Sequence, residues 1–274
     1  MFPSTKSIPK EMLPLADKPL IDYIFYECIF SNLKNIILVI NSKKRSIKKY
    51  LKNKLEFVQE HSNLFFNNIH FKDFKIPIIK YVNQDIPKGI GNAILCAKPL
   101  VGYQPFALIL PDVIINQYAS NLNQENLSAM LMKFNKCRLS QILVTPISKK
   151  NISSYGIVSL KKEMESKKNI INNIIEKPEF HEINSNLSIV GRYVFSEKIW
   201  NFLENEGNIF NNSIDLTDAI KMLIKHEKVE AHFLKGKYHD CGNKLEYMKA
   251  FLEFSLKHET LGNKFNQWIK YNLK

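Results

Sequence analysis

The chain has 274 residues, of which 45% are hydrophobic and 24% are charged, enough for one large or two small domains with a sizeable core. Its formal net charge is +13, a balance that nucleic-acid-binding proteins often show. The lysines are scattered, however, and no DNA- or RNA-binding motif accompanies them, so biased composition is the better explanation. We therefore expect no nucleic-acid partner, although a positive field favours phosphorylated small substrates.

The cysteine pattern and the apolar runs bear on the compartment. The cysteines lie far apart and form no Cys-x-x-Cys pair, which argues against a zinc site or a disulfide framework and suits a reducing cytosol. There is no signal-peptide pattern, and no apolar run approaches the roughly 20 residues that span a bilayer. We expect a cytoplasmic protein without a membrane partner.

Apolar runs typical of buried strands alternate with helical patterns through the first half of the chain. The predicted helices of this half cover residues 19–32, 44–51, 55–62, 91–97 and 126–136. The predicted strands cover residues 35–40, 76–82, 106–110 and 141–145. This alternation predicts an α/β fold with a Rossmann-like, doubly wound sheet.

The second half of the chain has less regular spacing. Strands are predicted at 156–160, 170–175, 188–195 and 229–234, and helices at 198–204, 216–225 and 244–257, followed by a last helix in the tail. We expect a mixed, mainly parallel sheet flanked by helices, with the later strands added across the open face of the first half.

Open α/β sheets bind ligands beyond the carboxyl ends of their strands. Asp112 directly follows the apolar run F-A-L-I-L and Pro111, where a carboxylate suits a hard cation such as Mg²⁺. A helix-capping or loop role for Asp112 is the alternative.

A second polar segment, N-Q-D-I-P-K-G-I-G-N-A, follows the strand at 76–82. Gln84 and Lys88 lie before Gly89 and Gly91, which let backbone N–H groups approach a ligand at the start of a helix. The G-I-G triplet lacks the full dinucleotide fingerprint, so a plain turn is the commoner explanation.

The pair Glu176 and Lys177 follows the strand at 170–175. A glutamate can bind sugar hydroxyls and a lysine can reach a phosphate as a point charge. An exposed ion pair at a strand end is the alternative.

The segment H-D-C-G-N invites a metal-site interpretation. Adjacent residues on a strand point to opposite faces, so His239, Asp240 and Cys241 are not expected to share a ligand. We expect Asp240 alone to face the site, as a second carboxylate for the cation; a helix N-cap by Asp240 or Asn243 is equally consistent with the sequence.

In chain order the motifs are P-S-T-K-S-I-P-K-E-M-L-P, K-G-I-G-N-A-I-L-C-A, L-P-D-V, Y-G-I-V, I-I-E-K-P, I-V-G-R-Y-V-F, L-T-D-A-I and H-D-C-G-N-K. This order resembles the bacterial UTP–glucose-1-phosphate uridylyltransferases (UDP-glucose pyrophosphorylases) of the sugar nucleotidyltransferase family, over essentially the whole chain. The resemblance implies a nucleotide-diphospho-sugar transferase fold in a single domain, residues 1–274, with a nucleotide-binding half (1–150), a sugar-binding half (151–242) and C-terminal helices (243–274).

The resemblance also implies the chemistry. Glucose 1-phosphate would attack the α-phosphorus of UTP in line, giving UDP-glucose and pyrophosphate, with Mg²⁺ bridging the phosphates and no covalent enzyme intermediate. Catalysis would then rest on positioning and charge neutralisation. The family suggests a homodimer or a homotetramer.

The resemblance assigns roles residue by residue. Lys10 would contact phosphate, with Lys6 and Glu11 lining the same site, and Asp112 would hold Mg²⁺ with Asp240 as a second ligand. The remaining roles concern the nucleobase and the sugar: uracil recognition by Gln84 and the Gly89 backbone, glucose contacts by Gly156 and Glu176, and a phosphate contact by Lys177.

The chain departs from the family pattern in three places. The G-x-G-T-R loop and the strand before it would precede Met1, and we interpret their absence as a start codon assigned too far downstream, with a decaying gene as the alternative. Asn92 replaces a histidine in G-L-G-H-A, which we expect to be a mild change. Ser213, Ile214 and Asp215 replace E-I-Q, which we expect to bear on sugar contacts.

Alternative functions follow from the same motifs. The nucleotide could be dTTP or CTP, since P-K-E-M-L-P and E-K-P are shared with thymidylyl- and cytidylyltransferases. The lost phosphate loop favours instead a non-catalytic regulatory relative, which Lys10, Asp112, Glu176 and Lys177 oppose.

Overall fold

The computed structural model describes residues 3–42, 44–61, 65–66, 69–70, 73–161, 169–207 and 215–272. Its strands are β1 (Pro14–Leu15), β2 (Lys18–Pro19), β3 (Asn35–Ile40), β4 (Phe65–Phe66), β5 (Ile69–His70), β6 (Ile78–Asn83), β7 (Phe106–Ile109), β8 (Val113–Ile115), β9 (Ser140–Pro146), β10 (Gly156–Leu160), β11 (Ile171–Glu176), β12 (Leu187–Phe195), β13 (Val229–Phe233) and β14 (Tyr238–Asp240). Its helices are α1 (Leu20–Phe30), α2 (Arg45–Glu60), α3 (Gly89–Val101), α4 (Leu127–Cys137), α5 (Ile199–Gly207), α6 (Leu216–His226), α7 (Lys244–Leu256) and α8 (Gly262–Asn272).

The main sheet is built around the long strand β12. The order of strands is β11-β10-β12-β9-β13, and the second half of β12 also pairs with β7. The register along β12 shifts near Gly191, whose φ of +66° is a conformation that glycine adopts at no steric cost. That irregularity lets one edge of β12 pair first with β10 and then with β7.

Both parallel and antiparallel pairs are present, which confirms the mixed α/β sheet flanked by helices that the sequence predicts. β3 pairs with β6 and β9 pairs with β13 in parallel, whereas β7, β10 and β11 join antiparallel neighbours. Strands β8 and β14 form a separate antiparallel pair beside the main sheet. The carboxyl ends of the parallel strands β3 and β6 lie at one edge, where the polar loops emerge.

Helix α1 is the centre of the larger core. It follows Pro19, and all of its residues are buried; apart from Asp22 and Glu27 they are apolar or aromatic. A second core packs α5 and α6 against the main sheet around Trp200, which is fully buried. Two layers of helices therefore enclose the sheet.

Residues 44–51 and 55–62 were predicted as two helices, and that division is wrong. A single helix, α2, runs from Arg45 to Glu60. Ile47, Leu51 and Val58 lie on one buried face, and the intervening residues contain no helix breaker, so the helical period continues across them. Within the described residues, no helix is long and apolar enough to cross a membrane.

Candidate functional site

Lys10 and Asp112 meet at the end of β7. Lys10 begins a 3₁₀ turn between Pro9 and Leu13, and Asp112 lies in the turn between β7 and β8. The Lys10 ammonium donates to Asp112 Oδ2 at 2.5 Å, across 102 residues of chain. The structure thus brings the lysine of P-K-E-M-L-P to the strand-end carboxylate, as a charge-assisted contact with both side chains partly open to solvent.

Asp240 lies beside Asp112. Strand β14 places Asp240 opposite Val113, and the backbone N–H of Cys241 donates to the Asp112 carbonyl at 2.8 Å. A Cβ atom on Gly242 would lie 3.0 Å from Asp240 Oδ1 and 3.1 Å from Asp112 Oδ2, so the two carboxylates flank this glycine. Burial raises the pKa of Asp240, and the negative charge of Asp112 adds to the rise.

Two neighbouring carboxylates on the open side of a turn suit a hard divalent cation that takes its other ligands from phosphate and water. Among the described residues there is no group of three or more histidine, cysteine, aspartate or glutamate side chains that could hold a metal ion. A cation here would therefore need ligands from the substrate or from water. A cation bound between the carboxylates would offset the Asp112 charge, which adds to the rise that burial causes in the pKa of Asp240.

His239 points away from this pair, as the alternation along a strand predicts. Its ring is buried and its Nε2 lies 3.2 Å from Glu253 Oε2, on the side of α7. Asn243, not Asp240, caps α7 by accepting from the N–H groups of Leu245 and Glu246. Asp240 is therefore left to face Asp112.

Glu11 is held by a residue that the sequence did not single out. Its side chain is buried, and Lys44 donates to Glu11 Oε1 at 2.7 Å. Lys44 lies in the loop after β3, so a cation stands at this strand end too. Only that position, beyond a predicted buried strand, was a signal available in the sequence.

Gln84 follows β6, next to the loop that holds Lys44. Its backbone N–H extends the β3–β6 ladder by donating to the Ile40 carbonyl at 2.9 Å. Its side-chain amide nitrogen donates to the Gly89 carbonyl at 3.0 Å and to Asn92 Oδ1 at 2.9 Å. The predicted pair of Gln84 and Gly89 is thus in contact at the start of α3.

Gly156, Glu176 and Lys177 form a third group. Gly156 pairs with Glu176 across β10 and β11, and a Cβ atom on Gly156 would lie 2.9 Å from Glu176 Oε2. Burial raises the pKa of Glu176; Lys177 opposes this rise and Asp215 adds to it. Glycine therefore allows the half-buried Glu176 carboxylate to approach the backbone of β10 closely.

Tyr155 connects this group with the carboxylates. Its carbonyl accepts from the N–H of Lys177 at 3.1 Å. Burial raises the pKa of Tyr155, and its side chain interacts with Asp240, which raises the pKa further. A row of contacts thus runs from Glu11 and Lys10, through the two carboxylates, to the segment that carries Glu176.

Comparison with known proteins identifies the family of the chain that carries this row of residues. The UTP–glucose-1-phosphate uridylyltransferase of Haemophilus influenzae is 42% identical over 98% of this chain and 94% of that protein. The enzyme of the same name from Escherichia coli K12 is 43% identical over 98% of this chain and 91% of that protein. The protein-family model for nucleotidyl transferases matches residues 1–256 of this chain.

The chain belongs to the nucleotidyl transferase family, among its UTP–glucose-1-phosphate uridylyltransferases. This confirms the resemblance carried by the sequence motifs. The solved structure of a UTP-bound UDP-glucose pyrophosphorylase from Acinetobacter baumannii is 36% identical, with a TM-score of 0.82 over 100% of this chain and 94% of that one. Nucleotidyl transferases generally use a divalent metal ion, which the Asp112 and Asp240 carboxylates fit.

One predicted position of this nucleotidyl transferase, Lys6, makes no contact with the row among the described residues. Lys6 is exposed on the first 3₁₀ turn, where its backbone N–H donates to the Pro3 carbonyl at 2.9 Å. Its role at the phosphates stays a prediction. Ser213 and Ile214 lie outside the described residues, whereas Asp215 caps α6 by accepting from the Thr217 N–H.

Proposed function

We propose that this protein is a UTP–glucose-1-phosphate uridylyltransferase that forms UDP-glucose and pyrophosphate from UTP and glucose 1-phosphate. The observation that carries the proposal is the Lys10–Asp112 contact beside Asp240. It brings together an ammonium group, which can bind phosphate, and two carboxylates, which can bind a metal ion. The names of relatives at 42–43% identity support the choice of substrates.

The reaction needs little covalent chemistry from the protein. A phosphate oxygen of glucose 1-phosphate forms a bond to the α-phosphorus of UTP, while the bond from that phosphorus to the bridging oxygen of pyrophosphate breaks. Both substrates carry several negative charges, so the barrier depends on neutralising charge and on aligning the attacking oxygen with the leaving group.

The lysines of the site are suited to that neutralisation. Lys10 is held at the carboxylates by Asp112 but keeps a side chain 39% exposed, so it can reach a phosphate oxygen. Lys177 has a left-handed backbone (φ +46°) directly after the strand that carries Glu176, and it is our candidate for the phosphate of the sugar. Lys6 is the third candidate, from the exposed first turn.

The sugar would lie against Gly156 and Glu176. A side chain at position 156 would displace Glu176 Oε2, and glycine lets this carboxylate keep its position beside β10. Glu176 would accept from sugar hydroxyl groups, with Tyr155 holding the segment beside Asp240. Glu11, held by Lys44, would line the phosphate side.

Mg²⁺ is the cation that we propose for Asp112 and Asp240, because it prefers one or two carboxylates together with substrate phosphates. When bound, it would neutralise phosphate charge and hold the triphosphate in one geometry. Glycine at position 242 avoids a Cβ atom that would lie 3.0 Å from Asp240 Oδ1 and 3.1 Å from Asp112 Oδ2.

The chain is proposed to act as one domain, with residues 1–150 binding the nucleotide, 151–242 binding the sugar and 243–274 forming C-terminal helices. We also propose a cytoplasmic homodimer or homotetramer. Exposed apolar side chains on α7 and α8, such as Met248 and Trp268, at 67% and 55% exposure, support association.

The test is pyrophosphate release with Mg²⁺, glucose 1-phosphate and each nucleoside triphosphate in turn. The proposal predicts release with UTP well above that with CTP, dTTP, ATP or GTP, and its loss in Lys10→Ala. A matched control is Lys221→Ala, a partly exposed lysine whose partner is Asp218. No release with any nucleotide, or equal release with all of them, would contradict the proposed function.

A further inference from the structure

The Gln84 side chain is held in one orientation by two acceptors. Its amide nitrogen Nε2 donates to the Gly89 carbonyl at 3.0 Å and to Asn92 Oδ1 at 2.9 Å. An amide nitrogen has two hydrogens, so both are used. Within the described part of the chain, Oε1 makes no hydrogen bond and is the atom left for a ligand.

The orientation of both amides follows from one unambiguous partner. Oxygen and nitrogen of a side-chain amide have nearly the same shape, and their assignment must come from the hydrogen-bond network. The Gly89 carbonyl can only accept, so the Gln84 atom that faces it is Nε2. Because that same nitrogen also contacts Asn92, Asn92 must present its oxygen.

A second donor also favours this orientation of the Asn92 amide. The Cys96 thiol, one turn further along α3, approaches Asn92 Oδ1 at 4.0 Å as a weak donor. Gln84 and Asn92 are both half-buried, and the backbone of Gln84 is fixed by its bond to Ile40. The Gln84 side chain is therefore the part free to turn, and Asn92 is one of the two groups that stop it.

We propose that Asn92 is a positioning residue that makes Gln84 present its carbonyl oxygen to the base and so favours uracil over cytosine. The inference rests on the proposed function, in which Gln84 contacts the base. Ring position 3 carries an N–H in uracil and in thymine but a lone pair in cytosine. A fixed acceptor opposite this position attracts the first two and repels the third.

Removing the Asn92 oxygen would leave one of the two acceptors that hold Nε2. Gln84 could then turn more readily and offer its NH₂ group, which suits cytosine N3. We expect the uracil preference to weaken without disappearing, because the Gly89 carbonyl stays in place. A change of about fivefold in the ratio is what one hydrogen bond between neutral groups supports.

The experiment compares wild type with Asn92→Ala and Asn92→Asp in the full chain. Equilibrium dissociation constants for UDP-glucose, CDP-glucose and dTDP-glucose are measured by calorimetry, and kcat/KM for UTP and CTP where turnover is detected. Alanine suits a half-exposed helix position, so that variant is expected to fold. Aspartate keeps an acceptor for Gln84 Nε2, and Leu100→Ala, an exposed site on the same helix, is the matched control.

The expected result is a fall of about fivefold in the UDP-glucose to CDP-glucose affinity ratio for Asn92→Ala. Asn92→Asp and Leu100→Ala should keep the wild-type ratio. The ratio of UDP-glucose to dTDP-glucose should not change in any variant, because uracil and thymine carry the same N–H. A general loss of packing would weaken all ligands together, so the selectivity ratio separates positioning from stability.

Two failures are distinguishable. A wild-type chain that prefers uridine, together with an Asn92→Ala variant that keeps the full preference, would overturn the role of Asn92 and leave the proposed function in place. A wild-type chain with no preference for uridine over cytidine would overturn both. Loss of the preference in Asn92→Asp as well as in Asn92→Ala would also count against the acceptor role.

Discussion

Arg192 and Glu27 form a buried two-point ion pair between β12 and α1. Arg192 Nε and an Nη donate to the two carboxylate oxygens of Glu27 at 2.9 and 2.7 Å, across 165 residues of chain. The same guanidinium also donates to the carbonyls of Leu110 and Val113, which lie on either side of Asp112. The pair therefore fixes the turn that presents Asp112 to Lys10.

Replacing Glu27 by glutamine should destabilise the fold strongly. Arg192 is 0% exposed, so the variant leaves a buried guanidinium without its counter-charge. Breaking a buried pair from one side costs about 3–5 kcal/mol. The free energy of unfolding from urea titration measures this loss. Asp218→Ala breaks a partly exposed pair with Lys221 and should cost less than about 1 kcal/mol. Equal losses in the two variants would refute the account.

Lys10→Ala should reduce activity far more than stability. Its ammonium is the donor best placed for phosphate charge, and loss of one such donor lowers kcat by about 100-fold to 1,000-fold. The ion pair with Asp112 is partly exposed, so the free energy of unfolding should change by less than about 1 kcal/mol. Steady-state kinetics and urea titration on the same preparation check both. A variant that retains most of its kcat would remove Lys10 from the mechanism.

Two glycine substitutions should separate the metal end from the sugar end of the site. In Gly242→Ala the new Cβ would lie about 3 Å from both carboxylates, so we expect a higher Mg²⁺ concentration for half-maximal rate. In Gly156→Ala the new Cβ would displace Glu176 Oε2, so we expect a higher KM for glucose 1-phosphate. Each variant is the control for the other, and titrations of Mg²⁺ and of glucose 1-phosphate on both are the measurement. If both variants alter the same constant, the division of the site is wrong.

Much of this arrangement was predictable, because strand ends collect ligand-binding residues. The apolar run before Asp112 marks β7, and the run before Gln84 marks β6, so the sequence alone predicts both residues at the carboxyl ends of strands. The alternation of strand faces likewise separated His239 from Asp240. These predictions depend only on local patterns, which the later packing did not override.

The remaining contacts could not be found in the sequence, because they join distant segments. Nothing local says that Lys44 will neutralise Glu11, 33 residues away, or that Arg192 will reach Glu27. The sequence pattern predicts two helices where the structure has one, α2, and burial of Ile47, Leu51 and Val58 on one face shows that the helix is continuous. The orientation of Gln84 depends on a backbone carbonyl, which no sequence pattern specifies.

Acidification should destabilise the protein partly through His232. Burial lowers the pKa of this imidazole, and the neighbouring Lys133 and Lys235 lower it further, against Glu230. The unfolded chain, with an ordinary pKa near 6.5, then binds the proton more readily than the folded one. Neutral His232 therefore makes its whole contribution to stability above about pH 6.5, the pKa in the unfolded chain. This contribution is lost as the pH falls from about 6.5 to the lower pKa of the folded state.

The measurement is the free energy of unfolding from urea titrations between pH 5.5 and 7.5 for wild type and His232→Gln. The variant should lose less stability on acidification, because it lacks the group whose protonation favours the unfolded chain. His239 also has a pKa lowered by burial, but it is present in both proteins and cancels in the comparison. The exposed His181→Gln is the matched control and should follow the wild-type curve. A His232→Gln curve parallel to wild type would show that this imidazole does not drive the acid sensitivity.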